Sequence, residues 1–241
     1  MDDGVGRLLQ CLDAQDRLEN TLVFFTSDNG MSMGHHGIWG KGNGTFPQNM
    51  YDTAVKVPFV AAGPGLAQGL TTDALLSHID IRPTILDLLG IPDPEADDLP
   101  GHSFVPLLQG KGNAERDCVV VFDEYGPVRM VRTREWKYVH RYPYGPHELY
   151  HLANDPDEKE NLYGTPGSNR EAARLKRLLD GWYEQWSAPE MDGTRHPVTG
   201  KGQVERVGPQ GHGSPAFETD LEYLHPEKAP APPPGSKKPT S

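Results

Sequence analysis

Hydrophobic residues near the start of the chain recur at helical spacing and then merge into an unbroken run. Val5, Leu8, Leu9 and Leu12 stand at i, i+3, i+4 and i+7, which predicts an amphipathic helix whose first turn carries two aspartates. Residues 21–26 follow as a continuous apolar run. A run without alternation is typical of a strand covered on both faces in a parallel sheet. The chain is therefore expected to open with a helix and a buried strand.

The pattern changes character about halfway along the chain. Residues 57–65 ("VPFVAAGPG") predict a second buried strand, and residues 80–89 predict a helix that Gly90 ends. Two strand-like runs, "CVVVFDEY" and "VRMVRTREWKYVHRY", follow with no helix between them, which predicts an antiparallel hairpin or small sheet. Residues 169–186 predict a long amphipathic helix. Its apolar face is expected to carry Leu175, Leu178, Leu179, Trp182 and Trp186.

This order of elements predicts an α/β unit followed by an α+β unit. After the long helix the chain reads as irregular, and it ends in the Pro-rich, solvated stretch "APAPPPGSKKPTS". Three regions are expected, at 1–110, 111–188 and 189–241.

Composition and charge narrow the classes of function. The 241 residues carry a formal net charge of −11, which argues against nucleic acid as a partner and against binding to an anionic membrane surface. No apolar run approaches the roughly 18 residues of a membrane span. The first ten residues do not resemble a signal peptide, so the chain as given is expected to be cytoplasmic, with the compartment of any longer protein open. Cys11 and Cys118 have no metal or redox spacing.

The stretch "TLVFFTSDNGMSMGHHGIWGKGN", residues 21–43, carries the candidate chemistry. Asp28 and Asn29 follow the apolar run, and sites in open α/β sheets lie beyond the carboxyl ends of strands. A carboxylate beside an amide oxygen offers the hard ligands that Ca²⁺ or Mg²⁺ prefers. The same Asp-Asn-Gly sequence also suits an Asx turn, which only reverses the chain.

A basic cluster follows within a dozen residues. His35, His36 and Lys41 stand among four glycines, which let the backbone approach a ligand closely. A lysine charge and imidazole donors would stabilise an oxyanion such as sulfate or phosphate. Asp28 and Asn29 are called the oxygen pair below. Together with the oxygen pair, the cluster indicates hydrolysis of an anionic ester.

These segments resemble the second signature of the type I sulfatases, in the alkaline-phosphatase-like superfamily. The resemblance rests on "SDNGMSMGHHGIWGKGN", on "NMYDTAVKVPFVAAGPG" and on the later segments "SHIDIRPTILDLLGI", "GHSFVPLLQG" and "ELYHLANDPDEKENL". It implies an alkaline-phosphatase-like sandwich of which region 1–110 is the C-terminal part. Region 111–188 would be a small antiparallel-sheet subdomain with a covering helix, and region 189–241 a tail.

The resemblance also implies roles for single residues. Asp28 and Asn29 would be two ligands of a divalent cation, most commonly Ca²⁺. Lys41 would bind a sulfate oxygen, and His36 would lie close to the sulfate, whereas His35 fills a variable place. Residues elsewhere in the matching segments are expected to pack or to support the site: Asp52, Lys56 and His78.

One part of the family pattern does not occur in this sequence. Type I sulfatases carry a C/S-x-P/A-x-R segment whose Cys or Ser becomes formylglycine, and neither cysteine here heads such a segment. The strand-borne acidic pair that would complete the metal site has no counterpart either, since Asp2 and Asp3 precede a helix. The expectation is the C-terminal portion of a longer sulfatase, with its formylglycine in an upstream segment.

Three functions remain open from the sequence. The first is metal-dependent hydrolysis of a small-molecule or saccharide sulfate ester. The second is a phosphonate or phosphate monoester hydrolase on the same scaffold, and the third is a non-catalytic remnant that binds a partner or an anion. The substrate alcohol and the oligomeric state are not readable.

Overall fold

The computed structural model describes residues 1–45, 47–112, 116–122, 127–195, 198–199 and 202–203. Its α-helices are α1 Asp2–Asp13, α2 Asp52–Val55, α3 Ile81–Leu88, α4 Val105–Leu108 and α5 Asn169–Trp186. The strands of the N-terminal part are β1 Val23–Thr26, β2 Ser32–Met33, β3 Trp39–Gly40 and β4 Phe59–Ala62. Those of the C-terminal part are β5 Val119–Phe122, β6 Val128–Arg132, β7 Trp136–Arg141, β8 Glu148–His151, β9 Val198–Thr199 and β10 Gly202–Gln203. No helix among these residues combines the length and the apolarity of a membrane crossing.

The centre of the fold is an antiparallel sheet in the order β5-β6-β7-β8. The antiparallel pairing of the two strand-like runs is confirmed, but the sequence did not predict the fourth strand, β8. This strand pairs with β7 from Trp136 opposite His151 to Val139 opposite Glu148. The strand has only four residues, with a polar one at each end, which is too few to show a clear hydrophobic period.

Both faces of this sheet are buried. On one face, Val131, Tyr138 and Leu149 pack with Leu175 and Leu179 of α5. On the other face, Met50 packs against three strand residues: Val128, Met130 and Val139. The alternation of neighbours such as Met130 and Val131 between the two faces follows from the period of two along a strand. The segment around Met50 therefore lies against the sheet on the face opposite α5.

The predicted helix at 169–186 is confirmed, but one part of its predicted apolar face is wrong. Leu175 and Leu179 are fully buried, whereas Leu178 is 38% exposed. Trp182 and Trp186 are half-buried. Positions 175 and 179 are four apart and share a face, so residue 178 lies toward the edge of the contact with the sheet.

The pairing predicted for the N-terminal strands is wrong. β1 pairs with β4 antiparallel, from Val23 opposite Ala62 to Thr26 opposite Phe59, so this pair is not the parallel one that the unbroken apolar runs suggested. All four residues of β1 are half-buried, and β4 alternates half-buried and exposed residues. A short apolar run fits a parallel or an antiparallel sheet equally well, so the sequence of the run does not show in which direction it pairs.

The remaining elements follow the sequence closely. α1 lies where predicted, with Asp2 and Asp3 in its first turn, but neither side chain forms a cap hydrogen bond and none of its residues is buried. α3 ends at Leu88, and Gly90 follows with a φ of 64°. In the expected irregular region after 189, the described residues form two short 3₁₀ turns and the β9–β10 pair. The Pro-rich end lies outside the described residues.

Candidate active site

The oxygen pair, Asp28 and Asn29, follows soon after β1. The backbone N–H of Asn29 donates to Oδ1 of Asp28 at 2.8 Å, and the hydroxyl of Ser27 donates to the Asn29 carbonyl at 2.7 Å. Asp28 is exposed, and Asn29 is half-buried. The side-chain nitrogen of Asn29 donates to the Gly30 carbonyl at 2.7 Å, so its amide oxygen is the end left for a cation. The bond at Asp28 reaches the next residue, whereas the bond of an Asx turn reaches the residue two positions on, so it is not an Asx-turn bond.

Gly30 holds this turn against α2. Its N–H donates to the Ala54 carbonyl at 2.8 Å. A Cβ at Gly30 would collide with the carbonyl oxygen of Thr53, so only glycine allows the approach. The neighbouring Ser32, fully buried, shares a hydrogen bond of 2.7 Å with the Thr53 hydroxyl. Two contacts therefore fix the oxygen pair relative to α2.

The paired histidines lie in the turn between β2 and β3. Gly34 has a φ of 95° and its N–H donates to the Ile38 carbonyl at 2.9 Å, which closes the turn. His36 adopts a φ of 54°, a left-handed conformation that costs a non-glycine residue free energy. His35 Nδ1 accepts a hydrogen bond from the Met33 N–H at 3.4 Å. His35 and His36 are both exposed.

The imidazole of His36 is stacked on Tyr51. The ring centroids lie 3.7 Å apart, and the planes differ by 5°. Pairs of this kind contribute about 0.5–1.5 kcal/mol beyond the area that they bury. The Tyr51 ring contacts Tyr150 of β8 in turn, with centroids 6.2 Å apart. Burial raises the pKa of both phenols, so both stay protonated at neutral pH.

Lys41 begins the loop that follows β3. Its carbonyl accepts the Gly44 N–H at 2.9 Å, and its side chain is exposed. The loop is tied to Asn49, whose backbone N–H and side-chain nitrogen donate to the Gly42 carbonyl at 3.0 and 3.2 Å. An exposed lysine on a loop fixed at its base suits the binding of an anionic group from solvent.

The four candidate residues are therefore held by one stretch of chain. Gly30 joins Asp28 and Asn29 to α2, Tyr51 supports His36, and Asn49 anchors the loop of Lys41. Within the described ranges, no hydrogen bond or ion pair links the oxygen pair directly to His36 or Lys41. What these residues share is attachment to segment 48–54.

The donor set at Asp28 and Asn29 fits part of a calcium site. A carboxylate and an amide oxygen are suitable donors, but Ca²⁺ takes about six to eight oxygens. Across the part of the chain that the structure describes, no group of three or more His, Cys, Asp or Glu side chains is placed to hold a metal. The two residues can supply some of the ligands, and the others would have to come from elsewhere.

An open groove of about 990 Å³ runs from Asp28 along α3. Its walls are mostly apolar, with Ile81, Ile85 and Leu86 of α3 on one side. Arg82 also lines it and is held by Asp93 and Glu95 in ion pairs of 2.9 and 2.8 Å. The remaining lining residues are Thr26, Ser27, His78, Ile91, Pro92 and Pro94.

Sequence reasoning missed the ion network behind the site. Lys137 of β7 is fully buried and lies 2.5 Å from carboxylate oxygens of both Asp52 and Glu158. Arg132 adds an ion pair of 3.3 Å to Asp52. A lysine inside "REWKYVHRY" looks like the exposed position of an alternating strand, because nothing in the sequence shows that both faces are covered.

The two carboxyl groups in this network respond differently to burial. Burial raises the pKa of Asp52, but Lys137 and Arg132 outweigh it, so the net shift is downward. Burial raises the pKa of Glu158 more than Lys137 lowers it, so the net shift is upward. Asp52 therefore keeps its negative charge to a lower pH than Glu158 does. Its contacts agree with the packing role expected for it.

Comparison with known proteins gives one family match. The family model described as "N-sulphoglucosamine sulphohydrolase, C-terminal" matches residues 34–185. The choline-sulfatase of Rhizobium meliloti is 32% identical over 195 residues, which cover 80% of this chain and 36% of that protein. The chain thus spans about a third of the length of this curated relative.

Solved structures likewise match most of this chain but only part of the other protein. A protein in complex with its substrate D-glucosamine-2-N,6-O-disulfate is 26% identical, with a TM-score of 0.70, over 81% of this chain and 40% of that one. The phosphonate monoester hydrolase of Agrobacterium radiobacter is 28% identical, with a TM-score of 0.65, over 85% of this chain and 43% of that one. The similarity in every case covers less than half of the other protein.

Proposed function

Because the chain belongs to the sulfatase family, we propose that it forms part of a sulfuric ester hydrolase that cleaves a sulfate ester with the help of a metal ion. The family match carries this proposal, since residues 34–185 include His36 and Lys41 and begin soon after Asn29. Residues 28–41 thus carry an oxygen pair, two imidazoles and a lysine close together in the sequence. That combination suits the binding and cleavage of an anionic ester.

Asp28 and Asn29 would hold the divalent cation, which we propose to be Ca²⁺. When bound, such a cation offsets negative charge on the ester oxygens. Lys41 would bind a sulfate oxygen and stabilise charge as the alcohol leaves, and His36 would donate a hydrogen bond nearby. The 241 residues contain no C/S-x-P/A-x-R segment, so a formylglycine nucleophile would have to come from outside them.

The relatives suggest the class of substrate. One is named a choline-sulfatase, and another was solved with a sulfated glucosamine. We therefore propose a small-molecule or saccharide sulfate ester. A phosphonate monoester hydrolase is the second candidate, because a protein of that activity is similar over 85% of this chain.

The first test is the DNA upstream of the Met1 codon, read in the same frame. A continuous frame that encodes a C/S-x-P/A-x-R segment would allow the longer protein to be made in a host that forms formylglycine. Release of sulfate from choline sulfate, glucosamine 6-sulfate and 4-nitrophenyl sulfate is then measured with and without Ca²⁺. A phosphonate monoester serves as the competing substrate.

The variant Asp28→Ala is expected to abolish metal-dependent turnover, while Asp97→Ala, at an exposed aspartate that does not line the groove, keeps it. Wild-type turnover in Asp28→Ala would overturn the ligand assignment. Faster cleavage of the phosphonate than of every sulfate ester would favour the second candidate. A stop codon upstream and no sulfate release would contradict the catalytic proposal and favour a binding role.

A further inference from the structure

The segment between the Lys41 loop and α2 is bound to the central sheet by two buried cations, Arg141 and Lys137. Arg141 donates from Nε and Nη2 to the Gln48 carbonyl at 3.1 and 2.9 Å. Lys137 donates to the Met50 carbonyl at 3.0 Å and pairs with Asp52. All of these contacts lie on the sheet face opposite α5, and they bind alternate residues of segment 48–52.

A fourth contact to the segment comes from Glu158. Glu158 accepts the backbone N–H of Asp52 through Oε2 at 2.6 Å, while its Oε1 pairs with Lys137 at 2.5 Å. Lys137 thus lies between two carboxylates and the Met50 carbonyl, with no exposure to solvent. Buried ionic groups with several partners hold one geometry, because a shift of the backbone would leave charge unpaired.

Lys137, Asp52 and Glu158 together form a clamp on segment 48–52. Tyr51 lies between the two residues that the clamp holds, Met50 and Asp52, and His36 is stacked on it. Two positions before it, Asn49 holds the Gly42 carbonyl at the base of the Lys41 loop. The clamp therefore determines where two loop anchors lie, one under the histidine turn and one under the lysine loop. The Lys137–Asp52 pair spans 85 residues of sequence to do this.

We infer that Lys137 is a positioning residue for the turn that carries His36 and for the loop that carries Lys41, and that it acts through segment 48–52. Lys137 does not reach a substrate, since it is fully buried. It binds the backbone before Tyr51 directly, at the Met50 carbonyl, and the backbone after Tyr51 through its ion pair with Glu158. The ring of Tyr51 in turn stacks on His36. What the loop does rests on the proposed function, but how the loop is held does not.

The test reads the position of His36 directly, in the 241-residue chain and without an activity assay. The ring protons of His36 lie over the Tyr51 face, so the ring current displaces their NMR signals upfield. Tyr51→Leu removes the ring and defines the full loss of this displacement, and Tyr51→Phe keeps the ring. The signals are assigned by their disappearance in His36→Gln.

Lys137→Met is expected to lose at least half of the displacement that Tyr51→Leu removes, at a temperature where circular dichroism shows it folded. Lys176→Met is the matched control, because it removes a half-buried lysine that pairs with Asp180 on α5. It is expected to leave the His36 signals in place. If Lys137→Met does not fold, Asp52→Asn takes its place with the same criterion, since it keeps the shape and removes the charge.

A folded Lys137→Met or Asp52→Asn with unmoved His36 signals would overturn the inference and leave Lys137 a purely stabilising residue. Unmoved signals in Tyr51→Leu would overturn it as well, because the stacking itself would then be absent. Neither result depends on sulfate release. Failure of the positioning inference is therefore distinguishable from failure of the proposed enzyme function.

Discussion

The N–H of Gly30 donates to the carbonyl of Ala54 at 2.8 Å, which ties the Asp28–Asn29 turn to the last residue of segment 48–54, the segment that also supports His36 and Lys41. The approach is so close that a side chain at position 30 would collide with Thr53. The positions of the proposed metal ligands thus depend on the absence of a single methyl group.

Gly30→Ala is expected to separate the turn from α2, because the Thr53 carbonyl belongs to backbone that cannot move aside cheaply. In the proposed longer enzyme the apparent affinity for Ca²⁺ should fall, and in the 241-residue chain the thermal midpoint should drop. Gly44→Ala is the control, since a Cβ there meets nothing within 4 Å. Equal midpoints for the two variants would show that the close contact does not matter.

Lys41→Ala is expected to lower kcat of the proposed longer enzyme by roughly 10²–10³-fold, as when one oxyanion donor is lost. The reason is that the exposed Lys41 would face charge that develops on the sulfate and the leaving alcohol. Steady-state kinetics on the best sulfate ester give the measurement. Lys111→Ala, a change at an exposed lysine, serves as the control. A change of less than about twofold at position 41 would place this lysine outside the site.

Leu175→Ala is expected to destabilise the chain by about 2–5 kcal/mol, because the side chain is fully buried between α5 and the sheet. Leu178→Ala, on the same helix, should cost less than about 1 kcal/mol, because Leu178 is 38% exposed. Urea unfolding of both variants provides the comparison. Equal losses would contradict the orientation of α5.

The stability of the chain is expected to fall as the pH drops from 6.5 toward 4, in part through His140. Burial, with His147 adding to it, lowers the pKa of His140 from 6.5 to about 4 in the folded state. Between these values the unfolded chain binds more protons, so acid favours unfolding and the stabilisation is complete only above pH 6.5. The pKa of His147, stacked on His140 at 4.1 Å, is lowered by its own burial and acts in the same direction.

The check is the urea midpoint at about pH 7.5 and about pH 5. His140→Asn places an amide where Nδ1 shares a hydrogen bond of 2.7 Å with the Tyr138 hydroxyl, and it removes the titration. The drop in midpoint between the two pH values should be smaller in this variant than in the wild type. An unchanged drop would assign the acid sensitivity to other groups.

The sequence by itself determined the family, the long C-terminal helix and the antiparallel character of the C-terminal strands. These features have local causes: the 3.6-residue period of 169–186, strand runs joined without a helix, and a dense set of family segments. It also predicted the candidate ligands Asp28 and Asn29 and the anion-binding residues His36 and Lys41. Their chemistry follows from residue type and spacing, and their roles stay predictions.

Only the tertiary structure decided what holds these residues and which way the N-terminal strands pair. The antiparallel partner of β1 lies more than 30 residues on, and the apolar run alone fits either direction. The clamp of Lys137, Asp52 and Glu158 joins residues up to 106 positions apart. A buried lysine looks like a surface lysine in sequence, because burial depends on what covers the other face of the sheet.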